Sequence, residues 1–328
     1  MHRTKLNYKN VKKQRLSTGT ATQIYKMKFI DGTDDDLWYQ KLEKQPYFYN
    51  GGDMRELFAS EIAGVLNVSN VEVRLGIDKF EELEQKTSFT RSFVQPGEEY
   101  REAHSFFPQY RLNREEVIGD MQSSNLYTIM SSSYQGREYK YIISHNIEDL
   151  KFYDLSMREA IEREKVRLQY MGNVNKIMGE QYKIWFQDYL LGNRDRSAKN
   201  WGIIVNNTNK RIKPAPCFDN TELFGKDYIH LHGVNISPEC MIRYLLEYKS
   251  EEVASCIQGV EQLEGGKLDE ILGKYDEPGF DRESARSFVM ERIKMMKDIM
   301  QEIEEEKGVA KPSKGNRCFD NFAIPFED

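Results

Sequence analysis

The sequence has few cysteines and histidines and no long apolar run, and each absence excludes a class of protein. Four cysteines and five histidines occur among 328 residues, and none has the spacing typical of a zinc site. We therefore expect reduced thiols rather than a disulfide framework. No apolar stretch approaches the roughly 20 residues that a membrane-spanning helix needs. Residues 1–15 are polar and basic and resemble no secretory signal, so we expect a cytoplasmic protein without a membrane span.

The charge balance argues against nucleic acid as a partner. The net charge is −6 and 30% of the residues are charged, whereas nucleic-acid-binding domains usually carry a net basic face. Hydrophobic residues make up 39% and aromatic residues 12% of the chain, which is enough for a sizeable core.

The first third of the chain predicts a small sheet with one helix. Apolar alternation indicates two strands around a turn at Gly19, and two more over residues 71–77 and 87–94. An acidic, aromatic connector runs from the first strand pair through residues 51–52. The helical spacing of apolar residues then predicts a helix over 54–66.

The rest of the chain predicts mainly helices. Helical patterns cover residues 113–130, 156–191, 238–248, 251–263 and 282–307. We therefore expect an α+β fold with two lobes. Its parts are a β-rich N-lobe over residues 1–93, a hinge at 94–106, a larger, mainly helical C-lobe over 107–310 and a flexible tail at 311–328.

The sharpest motif begins at Gly192 and reads GNRDRSAKNWG. A predicted helix leads into it and a predicted strand leaves it. After a polar turn and a second strand, the chain reaches Phe218-Asp219-Asn220. The compound pattern of loop, hairpin and F-D-N is far more specific than any one of its residues.

Three residues of this pattern match the needs of phosphoryl transfer. That reaction requires a carboxylate to orient the attacking hydroxyl and oxygen ligands that hold Mg²⁺ against the phosphates. In kinases the base Asp and a metal-binding Asn lie five residues apart, and a second metal-binding Asp follows the next hairpin. Asp195, Asn200 and Asp219 have that order and spacing.

This segment resembles the HipA-like protein kinases, in particular their CtkA-like branch, within the superfamily that also holds the phosphatidylinositol kinases. There a leucine-rich helix runs into G-N-x-D-R/A-H-x-x-N-W/F-G, and a strand pair leads to P-x-F/Y-D. The resemblance spans residues 18–224 and is specific around 190–220. It implies a two-lobed kinase fold, ATP and Mg²⁺ as cofactors, Asp195 as catalytic base, and Asn200 and Asp219 as metal ligands.

The resemblance also implies residues that bind the ATP phosphates. Lys28 in KMKF matches the family's strand lysine, and Glu61 matches the helix glutamate that pairs with it. Lys26, on the same strand face, is the alternative lysine. Gly19 and Thr20 lie in the candidate phosphate-covering loop, where a glycine and small hydroxyl side chains let backbone amides approach phosphate.

Four further residues concern the hinge and the catalytic loop. Phe93 and Val94 are expected to contact adenine through their backbone. Lys199 either neutralises charge on the transferred phosphate or is solvated. Ser197 stands where the family has histidine, a departure that leaves the two carboxylates and the amide in place.

These residues predict an ATP- and Mg²⁺-dependent serine/threonine protein kinase capable of autophosphorylation. A small-molecule or lipid kinase would use the same residues, and a nucleotide-binding pseudokinase or interaction module would keep the fold. For a bacterial HipA-like kinase the resemblance implies a protein substrate. It also implies either an antitoxin or a host protein as partner, the latter if the chain is a delivered effector.

Overall fold

The computed structural model describes the chain in thirteen segments. They are residues 4–5, 11–18, 22–29, 37–43, 51–80, 83–102, 109–110, 127–134, 137–144, 174–196, 200–209, 211–231 and 234–308. Some side chains within the strands, among them those of Lys28 and Lys41, lie outside the described part.

A six-stranded sheet forms the N-terminal region. In chain order its strands are β1 (Thr4–Lys5), β2 (Val11–Thr18), β3 (Thr22–Phe29), β4 (Leu37–Glu43), β5 (Val73–Phe80) and β6 (Leu83–Arg91). Across the sheet the order is β1-β5-β6-β4-β3-β2. All neighbours pair antiparallel except β1 with β5.

The strand β4 lies in the segment that the sequence predicted to be a connector, and that prediction is wrong there. Trp38 and Gln40 are buried, whereas Leu37 and Tyr39 are only half-buried, so the alternation of a strand is present. A polar glutamine occupies one of the two buried positions, where it donates to the Asp78 carboxylate over 2.6 Å. Because apolar alternation was the signal sought, this strand was not recognised.

The helix α1 (Gly52–Leu66) follows the sheet strand β4 and packs on β5 and β6. Its Met54, Phe58, Ile62 and Leu66 recur every four residues and are fully buried, which places them in one stripe of the helix. The helix ends at Asn67 in the left-handed conformation, whose N–H bonds to Ala63 O, a common way to satisfy the last carbonyls.

The C-terminal part is mainly helical, as predicted. Its helices are α2 (Val174–Leu191), α3 (Pro238–Tyr248), α4 (Ala254–Gln262), α5 (Leu268–Leu272) and α6 (Arg282–Gly308), with a π-helical segment, Leu263–Lys267, between α4 and α5. Ser237 caps α3 by accepting from the Cys240 N–H, and Pro238 occupies its first turn, both typical of a helix start.

Short strands complete the described part of the chain. They are β7 (Glu98–Glu102), β8 (Gln109–Tyr110), β9 (Tyr127–Tyr134), β10 (Arg137–Ser144), β11 (Gly202–Asn206), β12 (Ile212–Pro214), β13 (Ile229–Leu231) and β14 (Val234–Ile236). β9 pairs with β10 along its whole length. The helix predicted over residues 113–130 is therefore wrong at its end, because pairing with the strand that follows overrides the helical pattern.

One hydrophobic core joins α1 to the C-terminal helices. Phe58 of α1 contacts the rings of Phe224, Tyr275 and Phe280. A small β-rich region and a helical body thus share an interior across α1. The predicted lobe boundaries at residues 93 and 106 stay predictions.

The cysteines only partly follow the expectation of reduced thiols. Cys217 and Cys256 are free and buried. Cys240 is disulfide-bonded, so the expectation is wrong at that position; its partner lies outside the described residues. Among the described helices, none has the length and apolar character to cross a membrane.

Candidate active site

A tight turn carries the chain from α2 into the loop that contains Asp195. Gly192 has φ +61°, a conformation that glycine adopts without strain. The N–H of Gly192 bonds to Tyr189 O, and that of Asn193 bonds to Asp188 O. The loop therefore starts from a fixed point at the end of a buried helix.

The same loop is bonded to the segment that follows Asp219. Phe224 N donates to Leu191 O and Gly225 N donates to Gly192 O, each over 2.8 Å, and Arg194 N donates to Glu222 O over 2.9 Å. These backbone bonds bring together two segments that lie about thirty residues apart in the sequence. The candidate base and the candidate metal loop consequently face the same region.

Asp195 and Asn200 are in direct contact. The amide nitrogen of Asn200 donates to Asp195 O over 2.7 Å and to Asp195 Oδ2 over 3.2 Å. Asn200 is nearly buried, whereas Asp195 is exposed. Because the Asn200 nitrogen is bonded to Asp195, the amide oxygen is the atom of this side chain that could bind a cation. The exposed Asp195 carboxylate is accessible to an acceptor hydroxyl.

Arg196 connects this loop to the segment around Asp219. Its side chain is fully buried and makes a two-pronged ion pair with Asp188, with both N–O distances at 2.9 Å. Its Nη1 donates to Asn200 O and to Phe218 O, each over 2.8 Å. Burial by itself lowers the pKa of Arg196, but Asp188, Cys217 and Asp219 together raise it by more and hold the pKa above its ordinary value, so the guanidinium stays charged.

Asp219 has an unusual backbone conformation, with φ +57°. Aspartate tolerates this left-handed region better than most residues, but it is uncommon and is enriched at functional sites. This conformation turns the backbone at Asp219, so the chain does not continue as a strand after Phe218. It is the only one of the predicted site residues within the described part that has a positive φ.

The oxygen donors fit magnesium held between protein and phosphate. Asn200 supplies an amide oxygen and Asp219 a carboxylate. Within the described residues no cluster of three or more histidine, cysteine, aspartate or glutamate side chains could hold a metal by itself. Mg²⁺ bound with nucleotide commonly takes only one or two protein ligands and completes its octahedron with phosphate and water.

Three aromatic rings connect the predicted hinge to the metal loop. Phe93 packs on Tyr100 and on Phe218, with ring centroids 5.3 and 5.4 Å apart respectively. Tyr100 donates its hydroxyl to Trp201 O over 2.9 Å. Burial, together with the Glu102 carboxylate, raises the pKa of Tyr100, so the hydroxyl keeps the proton that it donates.

The two predicted hinge residues, Phe93 and Val94, differ in their contacts. Val94 N donates to Ser92 Oγ over 3.3 Å, and Val94 O accepts from the same hydroxyl over 3.2 Å. Phe93, by contrast, lies against the residue that precedes Asp219. Of the two, Phe93 is placed beside the candidate site.

The predicted Lys28–Glu61 pair finds no support in the described contacts. Both oxygens of Glu61 are engaged by the C-terminal region, Oε1 by Lys274 Nζ and Oε2 by the Tyr275 hydroxyl, each over 2.7 Å. The backbone of Lys28 lies opposite Lys12 and Leu37. Gly19, Thr20, Ser197 and Lys199 lie outside the described residues, and their predicted roles stay predictions.

The strand register points to a different lysine and glutamate, at the sheet face that α1 covers. Glu56 of α1 is only 1% exposed and accepts from Ser88 Oγ over 3.4 Å. Ser88 of β6 lies directly opposite Lys41 of β4, and opposed residues of an antiparallel pair share a face. Lys41 therefore lies on the face against which Glu56 packs.

The strand register separates Lys28 from this position. The cross-strand partner of Lys28 is Leu37, which is four residues from Lys41 along β4, or about 13 Å at the usual rise of a strand. Lys28 also lies one strand farther from Ser88. Sequence reasoning missed Lys41 because the segment that carries it was not predicted to be a strand.

The residues that hold the loops in place were also missed. Asp188, Asn193 and Asn220 are all buried. Asn193 donates to Asp188 Oδ1 over 2.9 Å and accepts from the Asp195 N–H over 3.1 Å. One signal was available: Asp188 is the only acidic residue in the second half of α2, which is mostly apolar, and a buried acid needs a partner.

Comparison with known proteins supports the fold. The crystal structure of a Helicobacter pylori proinflammatory kinase, CtkA, matches with a TM-score of 0.58 and 13% sequence identity, covering 94% of this chain and 100% of that one. No family model matches the chain, and no curated protein matches it. At this identity the likeness establishes the fold alone: the predicted kinase-like fold, with a small β-rich N-terminal part and a helical C-terminal part, is confirmed.

Proposed function

We propose that this protein is an ATP- and Mg²⁺-dependent phosphotransferase, and more specifically a serine/threonine protein kinase capable of autophosphorylation. The observation that carries the proposal is the joining of Asp195, Asn200 and the Asp219 segment at one place, through the Asn200–Asp195 bond and through Arg196. The kinase-like fold supports the same assignment.

The three residues have separate tasks. Asp195, the exposed carboxylate, orients the acceptor hydroxyl and accepts its proton. Asn200 and Asp219 provide the protein oxygens that hold the metal. Mg²⁺ and ATP, when bound, supply the phosphoryl group and neutralise its charge; the protein contributes position and a fixed electrostatic surrounding.

The first experiment tests transfer itself. The purified protein is incubated with Mg²⁺ and ATP, and its intact mass is measured alongside Asp195→Ala and Asp219→Ala. Wild type should gain phosphate on serine or threonine, and both variants should not. Asp227→Ala, which removes an exposed aspartate outside the proposed site, is the matched control. Phosphate gain in the Asp195→Ala, Asp219→Ala double variant would refute the assignment.

We further propose that Lys41 contacts the ATP phosphates and that Glu56 orients it. This assignment depends on the register of β4 with β6 and on the buried Glu56–Ser88 contact. A charged hydrogen bond is worth about 1.5–3 kcal/mol, so its loss weakens binding about tenfold or more.

Calorimetric titration with ATP tests which lysine–glutamate pair, Lys41 and Glu56 or Lys28 and Glu61, contributes to ATP binding. We expect Lys41→Ala and Glu56→Gln to weaken ATP binding about tenfold or more. Lys28→Ala and Glu61→Gln, the matched controls, should bind ATP as the wild type does. The reverse result would restore the pair predicted from the sequence.

A further inference from the structure

Arg196 is enclosed by the two loops of the candidate site. Its side chain has no exposed surface, and all three of its guanidinium nitrogens donate to acceptors of the protein itself. A phosphate or an acceptor molecule cannot reach these donors. A direct part for Arg196 in phosphoryl transfer is therefore excluded.

One nitrogen of Arg196 links the backbone of one proposed metal ligand to the residue that precedes the other. Nη1 lies 2.8 Å from Asn200 O and 2.8 Å from Phe218 O, so these two carbonyl oxygens are no more than twice 2.8 Å apart. Asn200 is one proposed ligand, and Asp219, the other, directly follows Phe218. The position of Nη1 thus limits the separation of the ligands.

The other donors of Arg196 fix that nitrogen relative to α2. Nε and Nη2 donate to the two oxygens of Asp188, which lies on the buried helix. Nη2 also donates to Asn220 Oδ1 over 2.6 Å. A planar guanidinium held at both edges has little freedom to rotate.

We propose that Arg196 is a positioning residue that sets the geometry of the metal-binding pair Asn200 and Asp219. The proposal rests on the proposed function, since it concerns the same site. It assigns to Arg196 an effect on metal affinity and none on the affinity for metal-free nucleotide. Residues that hold metal ligands in place commonly change metal affinity 10–100-fold when replaced.

The test variant is Arg196→Lys, which keeps the charge but loses the planar fork. The matched control is Arg292→Lys. Arg292 is 4% exposed and also donates to backbone carbonyls, those of Gly225 and Lys226, but none of its described bonds reaches Asn200 or Phe218. In both variants a lysine replaces a buried arginine, so both lose stability for the same reason.

Two readouts are compared, after circular dichroism has shown that each variant is folded. The first is the Mg²⁺ concentration for half-maximal thermal stabilisation at fixed ATP; the second is ATP affinity without metal. For Arg196→Lys we expect a Mg²⁺ requirement about tenfold higher or more and an unchanged affinity for metal-free ATP. Arg292→Lys should match the wild type in both.

An unchanged Mg²⁺ requirement in Arg196→Lys, or an equal loss of metal-free ATP binding, overturns the proposal. If Arg196→Lys does not fold, Asn220→Ala decides, because it removes one acceptor of Nη2: a higher Mg²⁺ requirement supports the role, and an unchanged one refutes it. A wild type that shows no Mg²⁺-dependent ATP binding overturns the proposed function itself, and the role of Arg196 with it.

Discussion

Gly192, at the turn into the Asp195 loop, has no room for a side chain. A Cβ there would lie 2.5 Å from Gly225 O and 2.5 Å from Phe288 Cζ, in a backbone conformation with positive φ. We expect Gly192→Ala to lower the free energy of unfolding by about 2–4 kcal/mol, measured by urea denaturation. Gly64→Ala is the control, because a Cβ at this exposed helical position meets nothing within 4 Å; it should be neutral or slightly stabilising.

A second prediction at this scale concerns Cys217, whose pKa burial raises from 9.0 to about 11. As the pH rises, the unfolded chain loses this proton first, so the folded state is favoured fully below pH 9 and progressively less up to pH 11. The expected loss is on the order of 3 kcal/mol. Urea denaturation across this range should show it.

The matched variant for this pH effect is Cys217→Ala. Its stability should fall less steeply over the same range, because the remaining groups, tyrosines included, still titrate. An equally steep fall in both proteins would show that Cys217 does not contribute.

At the scale of the elements, α1 is fixed to the C-terminal helices by a close approach to α4. A Cβ on Gly259 of α4 would lie 2.5 Å from Val65 O and 2.8 Å from Leu66 Cα. Gly259→Ala should therefore push the helices apart and cost about 1–3 kcal/mol. Gly265→Ala, where a Cβ meets nothing within 4 Å, is the control in thermal denaturation. Equal stability of the two variants would refute the close packing.

The elements also show which predictions the sequence allowed. The helix over 238–248 was predicted with its exact ends from the spacing of its apolar residues, and the structure adds that Ser237 and Pro238 mark its start. The strand β4 was missed because a buried glutamine interrupts its apolar face, and Lys41 was missed with it. Cross-strand register depends on residues far apart in the chain, so no local pattern places Lys41 opposite Ser88.

The candidate catalytic loop could be proposed because phosphoryl transfer requires particular residues at fixed spacing. Asp195, Asn200 and Asp219 were assigned from that spacing and from the resemblance to the HipA-like kinases, and their roles stay predictions. Burial has no such signature: the resemblance matches Arg196 to a position of the family motif, but nothing in the sequence indicates that Arg196 is enclosed while its neighbour Arg194 is exposed. The bonds that hold the candidate site residues in place were therefore not predicted.

For the whole molecule, the shared core predicts which helices unfold together. Because α1 is buried in the same cluster as α2, its amides should exchange hydrogen with an opening free energy within about 1 kcal/mol of those in α2. Native-state hydrogen exchange with mass spectrometry measures both. Faster exchange throughout α1 would show that this helix opens with the sheet and not with the helical body.

The chain that leaves α1 is bonded to the segment just before Phe218 through main-chain groups. Cys217 N donates to Ser69 O over 2.7 Å, and Val71 N donates to Cys217 O over 3.2 Å. Main-chain bonds are indifferent to the side chains of the residues that make them, except that proline at position 71 or 217 would remove a donor. The two halves of the proposed phosphate site are therefore joined at this point by bonds that require no particular side chain, and such bonds leave no motif for a sequence comparison to find.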